Sequence, residues 1–122
     1  MSSTLAQRRS LFALDKVRDA SKIDKFDKLT LGLPAMILQN GFGQTLAFLL
    51  AKAKGNEKDH HTAAFDIITS WLETTHILKK RDRAEVMKEI SQMPQSEYLR
   101  AQEEALAILE WVKRYANANL FT

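Results

Sequence analysis

Apolar residues recur along this chain at three- and four-residue intervals, and they never alternate strictly for long. The pattern predicts helices throughout and no strand. The densest stretch runs from Leu33 to Leu50, LPAMILQNGFGQTLAFLL. Within it Phe42, Leu46, Leu49 and Ala53 share one helical face, which Phe48 and Leu50 widen. Asn40-Gly41 tolerates positive φ, so it predicts a sharp corner where one helix ends and the next begins. The helix after the corner, about 43–54, is apolar nearly all round. It is therefore expected in the middle of the domain, with the other helices packed on it.

The remaining elements follow from period and punctuation. A first helix is expected from Ser3 or Thr4 to about Ser21, with Ala6, Ala13, Val17 and Ala20 forming a small-sided apolar face. Its other stripe mixes Leu5 and Phe12 with Arg9 and Lys16. Ser21 or Asp24 can cap a second helix carrying Phe26, Leu29, Leu33 and Ile37. Gly32 and Pro34 fall inside that helix and predict a kink or break near Gly32. Lys54 to Lys58 reads as a loop. A fourth helix is expected over Asp59–Leu78, a basic turn over Lys79–Arg83, and a short fifth helix over Arg83–Gln92 stopped by Pro94. The last and longest helix is expected over Ser96–Asn119, with Ser96 as its cap. The expected architecture is all-α: a single-domain bundle of about six helices spanning residues 1–122, with a long C-terminal helix.

Composition changes this picture little. The chain has 122 residues, enough for one core and too few for two. Eighteen Lys and Arg against 15 acids give a net charge of +3, mildly basic and mostly balanced locally. The absence of cysteine removes thiolate metal sites, disulfides and thiol nucleophiles, and it suits the cytoplasm. The first residues, MSSTLAQRRS, do not read as a signal peptide, and the apolar runs are too short to span a bilayer.

Candidate chemistry is sparse. Of the three histidines, His60 and His61 are adjacent and expected to point about 100° apart around a helix, while His76 lies four turns on, so no metal site is expected. Asp15 with Asp19, and Glu103 with Glu104 or Glu110, are candidate carboxylate pairs. Each has bases beside it, which predicts ion-paired solvated faces rather than acid–base catalysis. Gly41-Phe42-Gly43 lacks the strand that precedes a phosphate loop, and no G-x-S-x-G occurs. Neither a catalytic residue nor a cofactor nor a small-molecule substrate is expected. The bases do cluster: Arg8, Arg9, Lys16, Arg18 and Lys22 early, Lys79, Lys80, Arg81 and Arg83 in the basic turn, Lys113 and Arg114 late. Such groups can neutralise phosphates without reading sequence.

Two stretches resemble a known family. Leu33-Pro34 followed by Asn40-Gly41-Phe42-Gly43-Gln44 and an apolar helix, and Glu104-Ala105-Leu106 through Trp111-Val112-Lys113-Arg114-Tyr115-Ala116, are similar to two signatures of the small all-helical subunit of the type III-B CRISPR effector, the Cmr complex. Phe42 stands where the family usually has Leu, and Tyr115 where it has Phe. Residues 55–93 carry no recognisable motif. The resemblance implies a non-catalytic structural subunit that stacks in several copies beside other Cmr-complex subunits, lining the groove that holds guide RNA and target RNA. The expected nucleic-acid contacts are Arg9, Lys16, Arg18, Lys113 and Arg114, with Lys79, Lys80 and Arg81 behind them. Leu5 and Phe12 are the expected partner interface, which would also serve the competing reading of a stand-alone helical adaptor.

Overall fold

A computed structural model describes residues 2–121. Those residues form six helices: α1 (Leu5–Ala20), α2 (Phe26–Asn40), α3 (Phe42–Ala53), α4 (His60–Thr74), α5 (Arg83–Gln92) and α6 (Gln95–Ala116). No strand occurs among the described residues. The expected all-α bundle with a long last helix is what the chain forms; at 22 residues, α6 is about 33 Å long.

The termini of the helices follow local chemistry in part. Thr4 caps α1 through a reciprocal pair with Gln7: Gln7 N donates to Thr4 Oγ1 at 3.1 Å, and Thr4 N donates to Gln7 Oε1 at 2.8 Å. Asp59 and Asp82 cap α4 and α5 by accepting from His61 N and Glu85 N. Two expected caps are not used. The residue before α2 is Lys25, held at φ 71° with no side-chain cap, so neither Ser21 nor Asp24 serves. Pro94 precedes α6, which begins one residue before Ser96. Helix α4 stops at Thr74 rather than Leu78. His76 turns left-handed at φ 64°, and Ile77 N and Leu78 N both fold back to Leu72 O, at 2.9 and 3.1 Å.

The expected kink near Gly32 does not break α2, which carries Pro34 inside an unbroken helix. Leu33 and Ile37 flank the proline and are both buried, so core packing keeps the helix continuous where propensity alone would favour a break. The expectation for α3 also needs correction. It packs against α2, α4 and α5 at one side of the bundle, and Gln44, Ala47, Ala51 and Lys52 face solvent. The middle belongs to α4, which touches α1, α2, α3 and α6 and buries eight of its 15 residues, and to α6, which runs between α1 and α2. Around them Phe26, Phe42, Phe65, Leu46, Ile68, Leu72, Ile108 and Leu109 fill the core.

The Asn40-Gly41 corner is as sharp as expected. Gly41 ends α2 and opens α3 at φ 91°, a conformation that a side chain disfavours. The first amides of α3 would be orphans there, and α6 supplies their acceptors. Phe42 N donates to Gln102 Oε1 at 3.1 Å, and Gly43 N donates to Tyr98 Oη at 2.8 Å. A Cβ on Gly43 would lie 3.3 Å from that hydroxyl, a tight approach that would press on the Tyr98 side chain. The corner motif is thus a docking joint with the last helix.

Candidate nucleic-acid interface

The cations divide by whether an acid has already claimed them. Arg9 is the most committed. Its Nε donates to Glu104 Oε1 at 2.7 Å and its Nη2 to Oε2 at 2.8 Å, a bidentate pair between α1 and α6. Glu104 Oε1 also accepts from Trp71 Nε1 of α4 at 2.8 Å. Both ionic side chains are largely sheltered, 20% and 16% exposed. The Arg9 hydrogen bonds hold the Glu104 carboxyl below the usual carboxylate range against the opposing effect of burial, with Trp71 helping. The same bonds raise Arg9. Local charge pattern places Glu104 on a solvated face beside Arg100; instead it closes a three-helix clamp with a residue 95 positions away.

Lys16 sits 5.4 Å from the centroid of the Phe12 ring, half-buried, and it makes no ion pair among the described residues. Phe12 in turn lies 5.0 Å from Trp71, so the ring expected to meet a partner is packed on its own chain. Leu5 stays 40% exposed. Arg18 makes long exposed pairs with Asp15 and Asp19, at 3.7 and 3.8 Å. Lys113 and Arg114 share Glu110, at 3.1 and 3.7 Å. The exposed pairs of Arg18 and Arg114 contribute about 0–1 kcal/mol, so an arriving phosphate can displace them, while the Lys113–Glu110 pair is part-buried.

The basic turn is built differently. Glu89 of α5 accepts from Lys79 N at 3.1 Å and Lys80 N at 3.0 Å, which anchors the backbone. The two ammonium groups stay exposed and unpaired among the described residues. Arg81 pairs with Glu73 at 2.8 Å, and Arg83 is forked between Glu57 and Asp66, whose hydrogen bonds raise it further. Lys79, Lys80, Lys88 and Arg100 line one cleft between α5 and the start of α6. Lys80 also borders a second cleft with Lys16 and Phe12, and Arg100 borders a third with Arg8, Leu5 and Leu11. Lys16, Lys79, Lys80, Lys88, Arg100 and Arg8 thus border clefts that share lining residues, with Glu85, Glu89 and Glu97 among them, whereas Lys22, Lys25, Lys28, Lys52, Lys54 and Lys58, also without an ion pair among the described residues, lie outside these three clefts.

The five expected contact residues are not gathered there. Lys16 reaches them, Arg9 lies beneath them in the clamp, and Arg18, Lys113 and Arg114 belong to other stretches of α1 and α6. Sequence reasoning overlooked Lys88, Arg100 and the exposed Leu11, Leu31 and Leu38. Leu31 and Leu38 carried a signal, since they fall on the face of α2 opposite Leu33 and Ile37; Lys88 and Arg100 carried none. His60 and His61 also differ from expectation: their rings converge, with centroids 4.0 Å apart.

Comparison with known proteins agrees with this architecture. The model of the CRISPR-associated protein (Cas_Cmr5) family matches residues 5–119. A protein of Thermus thermophilus described as CRISPR system Cmr subunit Cmr5 is 31% identical over 109 residues, 87% of each chain. The crystal structure of a CRISPR-associated Cmr5 family protein from Thermus thermophilus superposes with a TM-score of 0.76 at 30% identity, covering 98% of this chain and 99% of that one.

Proposed function

The chain belongs to the Cmr5 family of CRISPR-associated proteins, and on that premise we propose that it is a non-catalytic structural subunit of a cytoplasmic type III-B Cmr effector. In this reading it stacks in several copies beside other Cmr-complex subunits and supports guide RNA and target RNA through phosphate contacts. Base pairing with the guide reads sequence, and the protein contributes charge and shape.

The observation that carries the reading is the clustering of six uncommitted cations around clefts that share lining residues. Lys16, Lys79, Lys80, Lys88, Arg100 and Arg8 make no ion pair among the described residues and border these clefts. Arg18 and Arg114 remain secondary contacts, because their ion pairs are long and exposed, and Lys113 stays beside them with its pair to Glu110 one turn away on the same helix. Arg9 is withdrawn from the contact set, since a phosphate would have to break a sheltered bidentate pair and strand Glu104. Leu5 and Leu11 are assigned to a neighbouring subunit, and the stand-alone adaptor is not carried forward.

The test is the assembled complex with Lys79→Glu and Lys80→Glu together. Target-RNA retention should weaken, and the dependence of log affinity on log salt should flatten by about 0.7 for each phosphate that is no longer neutralised. An unchanged salt slope in a fully assembled particle would remove the turn from the interface.

A further inference from the structure

We infer that Asp59, His60 and His61 form a binding site for one divalent transition-metal ion of the zinc, nickel and cobalt class, through the Asp59 carboxylate, one oxygen facing each histidine, and the two imidazole Nδ1 atoms. The inference is independent of the RNA reading.

The three residues are consecutive at the start of α4, and Asp59 organises them. Its Oδ2 accepts from His61 N at 2.8 Å and lies 2.7 Å from His61 Nδ1. Its Oδ1 lies 3.4 Å from His60 Nδ1. One ligand atom from each of the three residues lies within 4.8 Å of the other two. A tetrahedral ion with bonds of about 2.0–2.1 Å holds its donors about 3.3–3.4 Å apart, so the Asp59–His60 pair already has the required spacing. The Asp59–His61 pair is closer, at hydrogen-bond distance. To bind the ion, His61 takes the tautomer with its proton on Nε2, one proton leaving Nδ1 as one is held at Nε2, so that a neutral imidazole offers the Nδ1 lone pair and Asp59 a carboxylate.

Two imidazoles and one carboxylate suit zinc, nickel or cobalt better than magnesium or calcium, which prefer oxygen alone. The side chains of His60, His61 and Asp59 are 18%, 15% and 22% exposed, sheltered enough to be held and open enough for water to complete the shell. Phe48 walls the site edge-on, 6.1 Å from the His61 ring. Asp24 and Lys25, in the turn before α2, are the other charged groups facing His60. The α4 dipole and the Lys25 ammonium oppose a cation here, and the two carboxylates offset them.

The test uses the untagged full-length chain, stripped with chelator and titrated with Co2+. Visible absorption should saturate at one equivalent and be abolished by one equivalent of Zn2+. His60→Gln and His61→Gln should each weaken Co2+ binding at least tenfold, as should Asp59→Asn, which keeps an oxygen to cap α4. His76→Gln should bind like the parent. Absorption that never saturates, or undiminished binding by any folded variant of the three, would overturn the site.

Discussion

Arg9 and the Lys79–Lys80 pair are both cations placed against a glutamate, and their fates are opposite. In the clamp, Glu104 takes the guanidinium itself and ties α1 to α6, with Trp71 bringing in α4. In the turn, Glu89 takes backbone amides and leaves both ammonium groups in solvent. One carboxylate removes a charge from the surface, and the other presents two. A count of bases therefore says little about where phosphate can bind; which group the nearest acid has claimed says more.

The sharpest way to break this contrast is to remove the acid from the clamp. Glu104→Ala leaves Arg9 and the Trp71 indole N–H without their partner, and should cost about 2–4 kcal/mol in urea or thermal unfolding. Arg9→Met leaves the carboxylate with Trp71 and should cost less, about 1–2 kcal/mol. In the assembled complex it should not change the salt slope of target-RNA retention; a flattened slope would return Arg9 to the interface.

Acid should find the clamp as well. Glu104 titrates below its ordinary value of 4.5 in the folded chain. Its stabilisation is complete above that ordinary value and is lost as pH falls through the lowered one. Stability measured downward from neutral pH should therefore fall less steeply below about pH 4.5 in Glu104→Gln than in the parent.

The turn should respond in the opposite register. Glu89→Gln weakens the backbone anchor and should cost about 1 kcal/mol, with faster hydrogen exchange at the Lys79 and Lys80 amides. Lys79→Ala and Lys80→Ala should shift stability by no more than about 0.5 kcal/mol, and should still reduce RNA retention in the complex. If these lysines prove important to folding and Arg9 does not, the division between clamp and interface is wrong.

Much of the bundle was legible. Periodicity placed all six helices, and Thr4, Asn40-Gly41 and Pro94 marked boundaries through side-chain and backbone chemistry that acts within a few residues. Local signals misled where packing prevailed. Pro34 reads as a break, yet burial of Leu33 and Ile37 keeps α2 continuous. The apolar richness of α3 reads as centrality, yet the helix that meets the most neighbours is α4, which packs on α1, α2, α3 and α6.

The candidate interface was far less legible. Its basic residues could be counted, but an arginine on an apolar stripe announces only that it needs a partner, and every acid in the chain was eligible.

The sequence by itself determined the class of fold, the corner that only glycine permits, and membership of a family whose signatures lie in the corner and the last helix. Those properties rest on interactions between near neighbours, which periodicity and residue type encode directly. Tertiary structure decided that Glu104 answers Arg9, that Glu89 anchors the turn, and that two adjacent histidine rings lean toward one carboxylate. Electrostatic pairing depends on distance in space, and only the packed chain brings residue 9 within a hydrogen bond of residue 104.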